Sequence, residues 1–242
     1  MQKEVKPYNS LGSKKKQVAD MFNNIAVWYD FLNRFLSFGI DRSWRRKAIE
    51  QLRSKNPQFI LDVATGTADV ALETARRLKP EKIIGVDISA EMLNVGRSKI
   101  SKRNMAHIIE LREGDSENLP FKNNTFDAIT VAFGVRNFEN LEAGLSEMYR
   151  VLKDNGQLVV LEFSKPTIFP IKQIFQLYFR YILPFIGNWT SHDSRAYSYL
   201  FESVQAFPEG EAFLNILQKT GYKTYQCKLL TFGICSIYSA EK

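Results

Sequence analysis

A chain of 242 residues, 45% of them hydrophobic and 24% charged, is long enough for one α/β domain with a full core and too apolar to be disordered. Its formal net charge of +7 permits attraction to nucleic acid or to an anionic membrane face without choosing between them. Two cysteines, Cys227 and Cys235, could meet across a hairpin but read rather as buried reduced thiols, and the opening MQKEVKPYNS has no apolar signal core, which makes the cytoplasm the expected compartment.

Residues 1–16 are polar and lysine-rich and read as a flexible basic arm. Over 18–36 the residues Met21, Phe22, Ile25, Trp28, Tyr29, Leu32, Phe35 and Leu36 recur at three- and four-residue steps, the stripe of a helix. Asp41 is placed to cap a second helix to about Leu52, with Trp44 and Ile49 inward, so that 17–56 forms an N-terminal helical segment. The pattern then changes to a short apolar strand over 59–63, a small-residue turn over 64–68 and a helix to Leu78. A second strand follows at 82–87, Ser89 caps a helix carrying Met92, Leu93 and Val95, and a third strand at 106–111 opens on His107, which reads as structural. A fourth strand at 126–132, a helix at 141–152 and a fifth strand at 157–163, after the Asn155-Gly156 turn, complete a core over 57–165. Such alternation means βαβ units and a largely parallel sheet.

Residues 166–207 break the rhythm: they are dense in aromatics, interrupted by Pro170 and Pro184, and too short in any uncharged run to cross a bilayer. They read as an inserted helical lid. From 208 a helix to about Thr220, with Gly221 at its C′ position, leads into strands at 222–229 and 232–239 that can add an antiparallel edge. The expectation is a single α/β domain, Rossmann-like, with a mostly parallel seven-stranded sheet, helices on both faces, N-terminal helices and the lid.

The chemistry is announced by strand, tight turn, helix, strand, acid. Asp62 ends the first strand, the turn Ala64-Thr65-Gly66-Thr67-Ala68 opens a helix, and Asp87 ends the second strand. Small residues let the turn approach a ligand, the helix N-terminus offers free N–H groups, and a carboxylate at the end of the second strand can accept both ribose hydroxyls. Dinucleotides and S-adenosylmethionine (SAM) both use this architecture. The turn lacks the three spaced glycines a pyrophosphate demands, and Gly114-Asp115-Ser116 after the third strand offers a carboxylate to an adenine amino group, so SAM is favoured.

Three further segments make the sequence resemble a known family. They are Tyr29-Asp30-Phe31-Leu32-Asn33 with Leu36-Ser37-Phe38-Gly39-Ile40-Asp41-Arg42-Ser43-Trp44-Arg45; Phe133-Gly134-Val135-Arg136-Asn137; and Met148-Tyr149-Arg150-Val151-Leu152-Lys153 leading to Leu161-Glu162-Phe163-Ser164-Lys165-Pro166. From about residue 20 to the end the chain is similar to the UbiE/MenG quinone-biosynthesis C-methyltransferases, within the class I SAM-dependent methyltransferases. The resemblance implies cofactor contacts at Asp62, Gly66, Thr67, Asp87, Ile88, Met92, Asp115, Ser116 and Phe133. It departs from the family at Ala132, where a serine is common, and in a turn poorer in glycine at Thr65 and Ala68. It implies methylation of a ring carbon of a polyprenylated quinol, demethylmenaquinol first and the benzoquinol of ubiquinone synthesis second.

Methyl transfer from a sulfonium needs an in-line nucleophile and no metal, so positioning carries much of the catalysis. A quinol carbon becomes nucleophilic when a neighbouring hydroxyl ionises, and a phenol titrates near 10. Arg136 is the first candidate to stabilise that anion or to order a water, with Asn137 to orient a ring oxygen; the alternatives are a surface ion pair for Arg136 and a helix cap for Asn137. Asp193, ahead of His192, is the candidate base, and Tyr29, Asn33 and Arg136 are expected around the substrate. The aromatic insert either packs on the domain or covers a prenyl tail and touches the inner face of the cytoplasmic membrane, helped by the basic arm. The chain admits a homodimer. Nucleic acid is not expected as a substrate, because the basic residues are dispersed and no Asn/Asp-Pro-Pro-Tyr motif or Pro-Cys pair is present. A binding module without catalysis is disfavoured by Asp62, Asp87, Asp115 and Arg136 together.

Overall fold

Strand β1 (Phe59–Val63) is buried at every residue but its first, as a parallel strand covered on both faces must be. It lies inside a seven-stranded sheet in a computed structural model that describes residues 5–8, 11–182 and 194–242. The other strands are β2 (Lys82–Asp87), β3 (Ile109–Glu113), β4 (Phe126–Ala132), β5 (Leu152–Phe163), β6 (Lys223–Leu230) and β7 (Cys235–Glu241). Their order is β3-β2-β1-β4-β5-β7-β6. The first five are parallel, and β7 inserts antiparallel between β5 and β6.

The alternation of side chains along each strand divides the core in two. Leu61, Val63, Ile129, Val131, Leu158 and Val160 face helices α5 (Leu141–Val151) and α8 (Glu211–Lys219), meeting Leu145, Met148, Phe213 and Leu217. Ile60, Ile83, Ala128, Val159 and Leu161 face the opposite layer of α2 (Asp41–Glu50), α3 (Asp69–Leu78) and α4 (Ala90–Lys102), meeting Trp44, Ala71, Leu72, Leu93 and Ile100. Each such large aliphatic side chain contributes about 1.5–3 kcal/mol by leaving water. A third cluster joins α1 (Lys14–Leu36), α6 (Ile171–Leu177) and α7 (Ser194–Ala206) through Val18, Met21, Phe175, Ala196, Tyr199 and Val204. The described parts of the aromatic insert therefore pack against the N-terminal helix. Among the described residues no helix is long and apolar enough to cross a membrane.

Several local expectations are corrected. The basic arm does not run free to residue 16: α1 begins at Lys14, which is buried and donates to the Phe138 carbonyl at 2.7 Å. Asp41 does not cap α2 but is its first residue, accepting from the Ser37 hydroxyl at 2.7 Å and pairing with Arg45. Strand β3 starts at Ile109, which leaves His107 exposed ahead of it. Strand β5 begins at Leu152, opposite Phe126, and resumes its ladder at Gln157 opposite Ala128. Ser89 does cap α4, accepting from the Met92 N–H at 3.3 Å, and Gly221 follows α8 with φ +100°. Cys227 and Cys235 are both free, opposite Tyr238 and Leu230 respectively in the β6–β7 ladder.

Candidate active site

The chain order reverses at β1, whose neighbours β2 and β4 lead away in opposite directions, and a ligand crevice is expected beyond the carboxyl ends of these strands. A cleft of about 710 Å³, counting its open mouth, lies there, within the size range of small-molecule sites. Its floor is the β1–α3 turn. Ala64, Gly66 and Ala68 hold φ of 52°, 54° and 64°, and for each alanine the left-handed conformation costs roughly 1–2 kcal/mol. Asp62 supplies the lock: the Thr65 hydroxyl donates to one of its oxygens at 2.6 Å and the Thr130 hydroxyl to the other at 2.7 Å. At 1% exposure, burial pushes the Asp62 carboxyl up to about 6, against the opposing pull of those two donors. The facing Phe133-Gly134 turn passes so close that a Cβ on Gly134 would lie 2.5 Å from the Ala64 methyl.

Asp87 is held at the mouth of this turn by backbone donors, the Gly66 N–H at 2.8 Å and the Ser89 N–H at 2.9 Å, one to each oxygen. Burial raises its pKa and these donors offset part of the rise. Gly66, Asp87, Ile88, Met92, Asp115, Ser116 and Phe133 all line the cleft. Asp62 and Thr67 do not: Asp62 is spent on the turn, and the Thr67 hydroxyl donates to Asp30 on α1 at 2.5 Å. The Asp115 carboxylate faces a partner that the sequence did not disclose, the Lys15 ammonium at 2.5 Å, which also reaches Glu117 at 3.2 Å.

Charge decides what this cleft accepts. Its described lining carries four carboxylates, Asp87, Asp115, Glu117 and Glu139, against the single cation Lys15. A pyrophosphate would meet like charge there, whereas a nucleoside bearing a sulfonium and an ammonium meets the opposite sign. SAM has that charge pattern, and the lining sets the carboxylates of Asp87 and Asp115 beside the apolar Ile88 and Met92.

A second cleft of about 780 Å³, its open mouth included, adjoins the first, and Phe22, Tyr29, Phe133 and Asn137 border both. One wall is aromatic: Phe133 and Phe163 stack with centroids 4.7 Å apart, and Trp44 meets Phe133 at 6.3 Å and Phe163 at 6.1 Å. Such a wall suits a flat ring. Arg136 lies 5.6 Å over the Phe163 ring and pairs with Glu162 at 2.8 Å, the two side chains 7% and 0% exposed. The partner is thus a buried carboxylate rather than a surface one. Burial pushes Glu162 upward in pKa while Arg136 pulls it down. Asn137 does not cap α5; Asn140 does, accepting from the Ala143 N–H at 3.0 Å. Tyr29, Asn33 and Arg136 line this second cleft together. Burial raises the Tyr29 phenol, with Asn33 in hydrogen-bonding reach of it. His192 and Asp193 lie outside the described residues.

Sequence reasoning passed over Lys15, Glu162 and Tyr199. Glu162 carried a signal, an acid inside the apolar run Val159-Val160-Leu161, since a buried strand tolerates a carboxylate only with a partner. Lys15 and Tyr199 carried none, because their places depend on how α1 and α7 dock.

A family model described as the ubiE/COQ5 methyltransferase family matches residues 10–242. The chain is 52% identical over 241 residues to a demethylmenaquinone methyltransferase of Bacteroides fragilis, covering 100% of this chain and 98% of that protein. It is 40% identical over 240 residues to a demethylmenaquinone methyltransferase of Porphyromonas gingivalis, covering 99% and 98%. It is 45% identical over 233 residues to the ubiquinone/menaquinone biosynthesis C-methyltransferase UbiE of Geotalea daltonii, covering 96% and 99%. Among solved structures, a SAM-dependent methyltransferase of Thermotoga maritima superposes with a TM-score of 0.64 at 18% identity, covering 93% of this chain and 99% of the other. Haemonchus contortus phosphoethanolamine N-methyltransferase 2, solved with SAM, superposes at 0.56 and 16% identity, covering 76% and 48%. These two likenesses establish the fold.

Proposed function

The chain belongs to the ubiE/COQ5 methyltransferase family, and from that membership we propose that it transfers a methyl group from SAM to a ring carbon of a demethylmenaquinol, completing menaquinol. The observation that carries the reading on the structure is the pair of adjoining clefts, one acidic and shaped for a phosphate-free nucleoside, the other aromatic and holding Arg136. SAM, when bound, supplies an electrophilic methyl on a sulfonium.

The protein's own residues have two tasks. The first is orientation: Asp87, Ile88, Met92, Asp115 and Ser116 hold the nucleoside, while Phe133 and Tyr29, which border both clefts, fix the line between donor and ring. The second is to stabilise the ionised ring hydroxyl. Arg136, almost wholly buried, does this with a charge that water barely screens, and Glu162 fixes its orientation. Asn137 accepts from or donates to a ring oxygen at the junction. We assign proton removal to Asp193 with His192 beside it; both fall outside the described residues, so this assignment rests on the sequence.

A quinol with a long prenyl tail resides in a bilayer, and an exposed apolar surface supports contact with one. Val27, Trp28 and Phe31 on α1, Phe38 and Ile40 after it, and Ile168, Phe169, Ile174, Leu177 and Tyr181 in the insert are exposed. Phe38 and Tyr178 have ring centroids 6.5 Å apart, which joins the two groups, and Lys172 and Arg180 are exposed within the insert. Aromatics flanked by cations suit the headgroup boundary of an anionic membrane.

The test is transfer of label from SAM to reduced demethylmenaquinone in detergent micelles, beside a reduced demethyl-benzoquinone. Label on the naphthoquinol alone is expected; label on both makes the enzyme dual-substrate. Absence of label on either, in protein that binds SAM, refutes the quinol reading.

A further inference from the structure

Five buried side-chain polar atoms among the described residues have no hydrogen-bond partner: Thr74 Oγ1, Gln157 Oε1, Arg136 Nε, Asn137 Oδ1 and the Tyr199 hydroxyl. The last three belong to residues lining the same cavity, the second cleft. A buried polar group left unpaired is unfavourable, and native proteins keep few of them. Three on one cavity point to a ligand that completes them.

Their chemistry describes that ligand. Arg136 Nε and the tyrosine hydroxyl donate, and Asn137 Oδ1 accepts. Tyr199 is 1% exposed on α7, packed in the cluster that joins α7 to α1, and its oxygen is near enough to Arg136 and Glu162 to feel both charges. Burial pushes its ionisation far above neutrality, so it enters the site as a protonated donor and not as a base. Two donors and one acceptor match an aromatic ring bearing one anionic oxygen and one remaining hydroxyl.

Resting on the quinol reading above, we propose that Tyr199 is a catalytic residue, its hydroxyl donating beside Arg136 Nε to the ring oxygen of the substrate that ionises. Tyr199 keeps its proton throughout; the proton of the ring hydroxyl passes to the separate base. The hydrogen bond is stronger to the anion than to the neutral hydroxyl, so it lowers the pKa of the bound quinol and raises the concentration of the nucleophile. The oxidised quinone has no hydroxyl to offer Asn137 Oδ1, so the same set favours the reduced ring.

The experiment compares wild type with Tyr199→Phe, which removes one oxygen and keeps the packed ring. Turnover of a short-chain demethylmenaquinol is measured across pH, with SAM affinity by calorimetry and the melting temperature as controls. The expected result is a loss in kcat/KM on the order of 100-fold, with SAM affinity and melting temperature unchanged. The acidic limb of the kcat–pH profile, which reports ionisation in the bound complex, is expected to move upward by about one unit, a tenfold change in the ionisation of the bound hydroxyl. Wild-type kcat/KM and an unmoved limb in Y199F overturn the proposal while leaving the quinol reading intact. A rate loss with an unmoved limb also overturns it, because disturbed packing lowers the rate without changing that ionisation. A wild type that binds SAM yet methylates no quinol overturns the reading, and this proposal with it.

Discussion

Asp62 shows at the scale of one residue how a carboxylate in a cofactor motif can serve the backbone. Both its oxygens accept threonine hydroxyls, and it holds a turn in which two alanines have positive φ. Its pKa is raised from an ordinary 3.8 to about 6 by burial, so its sign is the reverse of a salt-bridged acid. Its favourable contribution to stability is complete below about pH 4 and lost as pH rises through about 6. A two-unit rise is worth about 3 kcal/mol. Asp62→Asn, which cannot ionise and keeps an acceptor, is expected to flatten the pH dependence of the denaturation midpoint between pH 4 and 7 relative to wild type. An equally steep profile in the variant would place that pH dependence elsewhere. The sequence disclosed Asp62 as a motif acid, but only the neighbouring strand, which supplies Thr130, showed that both its oxygens face structural donors and that it does not line the cleft.

At the scale of an element, α1 is a strap over the cofactor cleft. Its Asp30 pairs with Lys99 on α4 at 2.7 Å and accepts from Thr67 at 2.5 Å, its Asn23 accepts from the Ser89 hydroxyl at 2.7 Å, and its Lys15 pairs with Asp115. Lys99 also pairs with Asp69; burial of Asp69 opposes ionisation, yet Lys99 and Arg45 hold it down at about 2. Asp30→Ala removes the strap's bonds to two elements, an expected cost of about 1–3 kcal/mol locally. Hydrogen exchange over 14–36 should then rise by at least tenfold while the strands β1 and β4 keep their protection. Unchanged exchange in α1 would mean that apolar packing alone holds it. The helix itself was legible from its apolar stripe. What it covers was not, because Asn23 and Asp30 sit among the polar positions of that stripe, which on an isolated helix read as solvent-facing, and Lys15 falls in the lysine-rich segment that reads as a flexible arm.

Across the whole molecule, exposed apolar side chains gather on α1, at Phe38 and Ile40, and in the insert, with Phe38 meeting Tyr178 of the insert. Binding to vesicles containing anionic lipid, measured by co-sedimentation, is expected to weaken with salt, because the attraction from the exposed Lys172 and Arg180 is screened within about 10 Å at 0.1 M. The double variant Trp28→Ser, Phe169→Ser removes two exposed rings, each worth on the order of 1 kcal/mol or more when buried in a membrane. It should bind vesicles at least tenfold more weakly yet methylate a detergent-dispersed short-chain quinol at the wild-type rate. Vesicle binding unaffected by both substitutions and by salt would remove the membrane from the account.

Hydrophobic period and turn chemistry are local, and they determined the alternation of strands and helices, the seven strands, the parallel core and the position of Asp87 at the end of β2. The small-residue turn at 64–68, the Gly114-Asp115-Ser116 segment and the Phe133–Asn137 segment were likewise readable, because ligands in such folds gather where parallel strands end. Tertiary structure alone decided which motif residues reach the cleft. Asp62 and Thr67 are turned to structural partners on β4 and α1, whereas Lys15 and Tyr199 reach the clefts from distant segments. Those choices depend on contacts between residues tens to more than a hundred positions apart, and on desolvation that exists only once the helices have docked, so no window of sequence contains them.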